Sequence, residues 1–488
     1  MATKQYQVGT GYSLIVGNIF QNNDLVINGN GSNTSVSIES TQILGINIPT
    51  TLTGRVNNSP AFLATLINNG VSFVGSVGNE NFDASKYIGN VKFNGYGGTN
   101  TLKGAAGDNV FTHDYVNCGV DKIIGGADKT IYWKKYILFG PTESKTYEAT
   151  NKLLTNGTNS DDVFRFVGDG DQFKVFKDGS SHHAIEACQF DDGKVVVNGA
   201  YGKDHANVTK HEGVITFNGD DGDDTLSFEH GKSGAGTTFN GGADIDTLIV
   251  YAQTSGSTLV VTDAALTNPS SELVTLSSVE QVVFYGSSNS DSFDASAFTG
   301  KSKLNGGDGA DTLKASIGGS EITGGNGADI IHLGAGADRV IYDANGQSTV
   351  AQLDKVHGFD TSASGDDLVF AFGNAVQENK PIIKIPVIGS EIRFNDGVVE
   401  YRATQLSSWK TDLEDLSFGG LGITSLQKAA NAVAIAAGDH RIAAFEYDEN
   451  WYVIEAGSGD DVDNVIHLVG TTLNTSTNVN DFVGFLPA

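Results

Sequence analysis

The sequence predicts an all-β protein, a right-handed parallel β-solenoid or β-roll followed by a mostly-β C-terminal region with one helix. Three observations lead there. Glycine is abundant, 62 of 488 residues, while proline is scarce at 7. The acids divide into 41 Asp and 17 Glu; because Asp favours turns and Glu favours helices, the carboxylates belong mostly to loops. The third observation is internal repetition at the spacing of solenoid coils.

Residues 1–60 are strand-like and rich in Asn and Thr. They are expected to cap the solenoid or to offer a joining surface, since an open solenoid end exposes unpaired strand edges.

Residues 61–345 carry the repeats. Residues 75–104 and 286–315 align without a gap at an offset of 211, sharing 14 of 30 positions. Phe82-Asp83-Ala84-Ser85 matches Phe293-Asp294-Ala295-Ser296, and Thr101-Leu102-Lys103 matches Thr312-Leu313-Lys314. Within the second copy, 306–341 divides into four nonapeptides starting at Gly306, Ala315, Gly324 and Leu333. Their eighth residues, Leu313, Ile322, Ile331 and Val340, are apolar, and their sixth are Asp311, Ser320, Asp329 and Asp338. Weaker forms recur at 157–164, 199–206, 219–226 and 241–248. With the sixth position as marker, Glu80, Asn100, Asp162, Asp204, Asp224, Asp246, Asp291, Asp311 and Asp329 are separated by 20, 62, 42, 20, 22, 45, 20 and 18 residues. These intervals sit near multiples of one coil of about 18–22 residues. One solenoid would then stack some thirteen coils over about 60 Å. Its core would be the ladder Phe82, Leu102, Phe111, Phe164, Leu226, Leu248, Phe293, Leu313 and Ile331.

The nonapeptide pattern G-G-x-G-x-D-x-U-x, with U apolar, resembles the RTX, or hemolysin-type calcium-binding repeat, family. The resemblance implies a β-roll in which each nonapeptide forms half a coil, so that loops 18 residues apart stack and bind Ca²⁺. Calcium takes six to eight oxygens from carboxylates and carbonyls, and glycine lets a loop turn its carbonyls inward. Asp311 and Asp329 are expected to face one ion, completed by carbonyls of the Gly306 and Gly324 loops, which also hold Asp308 and Asn326. On the opposite edge Ser320 stands where an Asp would face Asp338, so that site is expected to be weak or empty. Further candidate ligands are Asp291; the Asp204, Asp224 and Asp246 column with Asp220, Asp221, Asp223 and Asp244; and Asp161 with Asp162. In the first copy Glu80 and Asn100 replace Asp291 and Asp311, so those coils are expected to be joined by Asn hydrogen bonds rather than metal.

Residues 346–488 form the C-terminal region. Leu353 to Asp360 and Gly365 to Phe370 look like the segment that follows the repeats in many RTX proteins. Ser425-Leu426 to Ala437, stopped by Gly438, reads as a helix. Trp451 to Glu455 and Asp481 to Leu486 alternate like strands, and the acidic-then-apolar finish resembles a type I secretion signal. The N-terminus lacks the basic, apolar and cleavage regions of a signal peptide, so the chain is expected either to stay in the cytoplasm or to leave by a route that needs no N-terminal signal, and the C-terminal resemblance favours the second.

The formal charge of −28 argues against nucleic acid as partner, and no apolar run is long enough for membrane insertion. Cys118 and Cys188 are too few for a disulfide framework. Catalytic patterns are missing: His211-Glu212 has no second His at metalloprotease spacing, no G-x-S-x-G occurs, and Gly231-Lys232-Ser233 lacks the earlier glycine of a phosphate loop. The repeats leave no block of about 150 residues for a separate catalytic domain. The expected protein is therefore not an enzyme. Its acidity, few cysteines and repeat ends resemble RTX-type bacterial surface-layer proteins, which implies a secreted calcium-binding chain that assembles with itself on the cell surface. The alternative is a secreted adhesin or polysaccharide-acting solenoid, with cell-surface polysaccharide as partner, for which aromatic and carboxylate residues lined along one face would speak, whereas complementary ends without caps would speak for assembly.

Overall fold

The structure is a computed structural model of the chain. It describes residues 70–114 and 194–370 with short gaps, 425–473 with short gaps, and elsewhere chiefly strands. The architecture is an all-β parallel β-roll. Contacts divide the chain into one unit of residues 1–247 and 272–279 and another of 248–271 and 280–488.

In the first unit one ladder of parallel strands runs through Lys4–Gln7, Leu25–Asn28, Gly70–Val74, Asn90–Asn94 and Asp108–Asp114. It continues through Thr150–Asn156, Lys194–Tyr201, Ile215–Asp221 and Thr237–Ala243. Facing strands include Glu80–Lys86, Thr101–Lys103 and Asp121–Ile124 in one parallel set and Val163–Gly168, His205–His211 and Thr225–Glu229 in another. Side chains alternate along each strand, so every second residue points between the ladders. Phe73, Phe93 and Phe111 thus stack at ring separations of 5.3 and 4.9 Å, and Phe217 on Phe239 at 5.4 Å. Each buried Phe contributes on the order of 1.5–3 kcal/mol, but only because the coils before and after cover it.

The long intervals between markers have a physical cause. The 62-residue interval from Asn100 to Asp162 holds one more coil, at Asp121, and a hairpin of Lys129–Tyr136 with Phe139–Tyr147. The 42-residue interval after Asp162 holds the antiparallel strands Phe173–Lys177 and His183–Cys188.

In the second unit one ladder joins Thr258–Thr262, Ser292–Ala297, Thr312–Lys314, Ile330–His332, Asp354–His357 and Val462–Val469. The other joins Gln281–Tyr285, Lys301–Asp308, Ser320–Asn326, Arg339–Tyr342, Asp367–Phe370 and Val483–Phe485. Phe284 and Phe293, one from each ladder, stack at 4.2 Å. Ser302 pairs with Ser320 and Gly307 with Gly325, 18 residues apart, so two nonapeptides make one coil here. The ladders run past residue 345, into the segment that resembles the one following RTX repeats.

All nine residues of the expected apolar ladder are buried. The two copies at offset 211 also share their local bonding. Asp83 accepts hydrogen bonds from the Ser85 N–H at 3.0 Å, the Ser85 hydroxyl at 2.6 Å and Lys103 Nζ at 2.9 Å. Asp294 accepts from the Ser296 N–H at 3.0 Å, the Ser296 hydroxyl at 2.6 Å and Lys314 Nζ at 2.7 Å.

The expected helix spans Leu426–Ala437. Its small buried face, Ala429, Ala430, Val433, Ala434 and Ala437, packs on Phe445, Ile454 and Val465. These belong to the antiparallel strands Arg441–Tyr447, Asn450–Ala456 and Val462–Val469, the last of which also closes the first ladder of this unit. Among the described residues no helix is long and apolar enough to cross a membrane.

Candidate calcium site

The glycines of the repeat have separate causes. At the second position, Ala200, Asp220, Gly242, Gly307 and Gly325 have φ of 88°, 75°, 128°, 94° and 101°. At the fourth, Gly202, Gly222, Asp244, Gly309 and Gly327 have φ of 124°, 128°, 80°, 125° and 144°. Both positions are left-handed, where glycine is at ease and a side chain is strained. The first position is a matter of space. A Cβ on Gly306 would lie 2.3 Å from Asp311 Oδ2 and 2.4 Å from the Gly324 carbonyl oxygen. One on Gly219 would lie 2.0 Å from Asp224 Oδ2 and 2.5 Å from the Gly241 carbonyl oxygen. The first glycine therefore makes room for the sixth-position carboxylate of its own loop and a carbonyl of the next.

That carboxylate is buried and joins coil to coil. In the second unit the Asp291 N–H donates to Asp311 Oδ1 at 2.7 Å, the Asp311 N–H to Asp329 Oδ1 at 2.8 Å, and the Asp329 N–H to Asp354 Oδ1 at 2.9 Å. In the first unit Asp162, Asp204 and Asp224 donate in the same way to Asp204, Asp224 and Asp246, at 2.7, 2.7 and 2.8 Å. Each acid thus spends one oxygen on the main chain of the preceding coil.

The second oxygen of Asp224, Asp311 and Asp329 is buried with no hydrogen-bond partner. Such a group costs about 1–3 kcal/mol when left unsatisfied, and more when ionised. Burial pushes Asp224 and Asp311 up to about 7 and Asp329 up to about 6; neighbouring carboxylates add to the rise at Asp224 and Asp311. Asp354, likewise buried, is pushed up to about 8. At Asp311 and Asp224 the first glycine of the loop borders both the second carboxylate oxygen and a carbonyl oxygen, of Gly324 and Gly241, and buried oxygens of this kind call for a proton or a cation. One coil supplies its own base: His113 Nδ1 lies 2.8 Å from Asp121 Oδ2, both side chains being buried.

The site fits calcium, a hard cation that takes oxygen from carboxylates and main-chain carbonyls. In the second unit Asp311 and Asp329 would offer their second oxygens to such an ion, with the Gly324 carbonyl near Asp311; in the first unit Asp224 would do so, with the Gly241 carbonyl near it. Among the described residues no three His, Cys, Asp or Glu side chains converge as a metal cluster, so carbonyl oxygens are needed to complete any shell.

The candidate residues fall into two groups. Asp162, Asp204, Asp224 and Asp246 of the first unit and Asp291, Asp311, Asp329 and Asp338 of the second are buried, with Gly306 and Gly324 against the carboxylates. Asp220, Asp221, Asp244, Asp308 and Asn326 are exposed on the outside of the turns, and Asp223 is partly exposed and paired with Lys203. Asn326 Nδ2 donates to Asp308 Oδ1 at 2.8 Å. Asp161 lies outside the described residues. On the opposite edge Ser320 Oγ bonds Ser302 Oγ at 2.7 Å and the Ser316 N–H at 2.9 Å, while the Asp338 N–H donates to Asp366 Oδ1 at 2.9 Å. In the first copy Asn100 bridges coils as expected, Oδ1 accepting from the Glu80 N–H at 2.9 Å and Nδ2 donating to Asp121 Oδ1 at 2.8 Å. Sequence reasoning missed Asp121, which keeps only one of the three glycines of the repeat, and Asp354 and Asp366, which keep none of them. Their signal is the D-x-U ending in Asp121-Lys122-Ile123, Asp354-Lys355-Val356 and Asp366-Asp367-Leu368.

Comparison with protein families matches the RTX calcium-binding nonapeptide repeat in four copies, over residues 88–112 and 305–340. The second stretch is the run of four nonapeptides; the first lies in the copy where Asn replaces Asp. No curated protein matches the chain. Turn geometry, buried acid ladder and family match agree: the chain carries RTX calcium-binding nonapeptide repeats, and Ca²⁺ is the ion these repeats bind.

Proposed function

We propose that the chain is a secreted structural protein whose β-roll is locked by Ca²⁺ and which assembles with itself into a sheet or filament at the cell surface. The observation that carries the reading is the buried second oxygen on Asp224 in the first unit and on Asp311 and Asp329 in the second, which a bound cation would satisfy. Self-assembly is supported by the acids left on the outside of the turns, Asp220, Asp221 and Asp244 in one unit and Asp308 in the other. They repel a second copy until a divalent ion bridges them. Secretion fits the company RTX repeats keep, and a structural role fits the lack of catalytic patterns in the sequence.

The test is to purify the full chain in chelator, add calcium stepwise, and follow light scattering with negative-stain microscopy of the endpoint. Ordered sheets or filaments that dissolve again in chelator are the expected result. A chain that stays monomeric at high concentration throughout the millimolar calcium range overturns the assembly reading.

A further inference from the structure

One face of the second unit gathers cationic and aromatic side chains on a chain that is acidic as a whole. The strands Gln281–Tyr285, Lys301–Asp308, Ser320–Asn326 and Arg339–Tyr342 lie side by side. Alternation turns Val282, Phe284, Leu304, Ile322 and Val340 into the core, and Gln281, Val283, Tyr285, Lys301 and Lys303 to the outside. A groove of about 350 Å³ opens there, its walls including Gln281, Val283, Lys301, Lys303, Glu321 and Arg339. Three cations stand against one carboxylate. Glu321 lies between two of them, 3.0 Å from Arg339 and 3.7 Å from Lys303, and all three side chains keep 40% or more of their surface exposed.

The strip does not end at the groove. Val283 is paired with Lys303 and Tyr285 with Asn305, so two residues further along the same outer rows comes an aromatic surface. Tyr251 and Tyr285 stack there with ring centroids 5.3 Å apart and planes at 17°, exposed at 37% and 38%. From Gln281 to Tyr285 the strip runs about 13 Å.

We propose that this strip binds an acidic polysaccharide, one with uronate carboxylates along a pyranose backbone. The aromatic pair offers a flat apolar surface with polar rims, suited to the C–H face of a sugar ring. Arg339, Lys301 and Lys303 supply charge-assisted donors for carboxylates, Arg339 in the planar fork that recognises them. On a chain of formal charge −28, an anionic polymer is repelled from most of the surface and admitted where cations gather. An acidic turn of a second copy would satisfy the cations but leave the tyrosines without a role, so the glycan fits better. This assignment does not depend on self-assembly.

The experiment is calorimetric titration of the full chain, at fixed millimolar calcium, with a hyaluronan hexasaccharide as acidic probe and chitohexaose as neutral control; sedimentation of the same samples reports assembly. The expected result is saturable binding of the acidic probe alone, weakened at least tenfold by Lys301→Glu with Lys303→Glu and at least fivefold by Tyr285→Ala, with melting temperatures unchanged. No binding, equal binding of the neutral probe, or binding indifferent to these substitutions overturns the proposal. So does loss of self-association in the lysine variant with Tyr285→Ala binding the probe as well as the parent, which would assign the cations to a second copy. Self-assembly can fail in these samples while probe binding persists, and the reverse, so the two readings fall separately.

Discussion

The main-chain N–H of Asp311 donates to Oδ1 of Asp329 at 2.8 Å, across 18 residues, while Oδ2 of Asp329 has no partner and a Cβ on Gly324 would lie 2.3 Å from it. One side chain thus sets the coil spacing and presents an oxygen that needs a cation or a proton.

Calcium should therefore raise stability and chelator should lower it. A site filled to a hundred times its dissociation constant adds about 2.7 kcal/mol. Asp329→Asn removes the charge and should lose much of this gain while leaving calcium-induced stabilisation of the first unit in place. Thermal melts with and without chelator check both statements, and identical melts would contradict them.

Without calcium the dependence on pH has a fixed sign. Asp311 and Asp224 are raised to about 7, Asp329 to about 6 and Asp354 to about 8. In the unfolded chain they return to near 3.8. Between these values the folded state holds more protons, so its stability is greatest below about pH 4 for these groups and is lost as pH rises through 6 to 8. The metal-free melting temperature should fall from pH 5 to pH 8, and calcium should reverse the fall. A metal-free melt that rises with pH over this window would count against the buried acid ladder.

Gly306→Ala tests space without backbone strain, since Gly306 is not among the residues with positive φ. Its Cβ would meet Asp311 Oδ2 at 2.3 Å and the Gly324 carbonyl oxygen at 2.4 Å. A loss of about 2 kcal/mol and weaker calcium binding are expected. Asp220→Gly does the opposite: it relieves a residue at φ 75° and should stabilise by about 1 kcal/mol. Urea denaturation of both variants gives the comparison.

His113 and Asp121 form a buried pair at 2.8 Å. His113→Ala removes the base beside a buried acid and should cost about 3 kcal/mol. By contrast, Lys103→Ala and Lys314→Ala break half-exposed pairs with Asp83 and Asp294, and each should cost at most about 1 kcal/mol. Equal small effects at the two lysines would also reflect the shared geometry of the copies.

Much of this was legible from the period of the chain. An Asp at position six and an apolar residue at position eight fixed the coil, the inward ladder and the stacked column, because a side chain that repeats with the coil must meet its own kind. The hairpin at Lys129–Tyr136 and the coil at Asp121 were hidden, since an insertion keeps no period and Asp121 keeps one glycine of three. Composition grouped Asp220 and Asp244 with Asp224 and Asp246. The backbone separates them, placing the first two on exposed left-handed turns and the others inside. The cationic strip was invisible for another reason: Lys303 and Arg339 are 36 residues apart and come together only through the coil register.

The acid ladder has a direction. In the second unit the N–H groups of Asp291, Asp311 and Asp329 are each satisfied by the acid of the coil that comes later in the chain, and the last N–H of this column, on Asp354, finds the hydroxyl of Ser348, which itself donates to the Val465 carbonyl. A nascent or translocating chain that presents its amino end first leaves every finished coil waiting on the next. Closure of this column belongs to the strand Val462–Val469, which pairs with Asp354–His357 and is made more than a hundred residues after the last repeat.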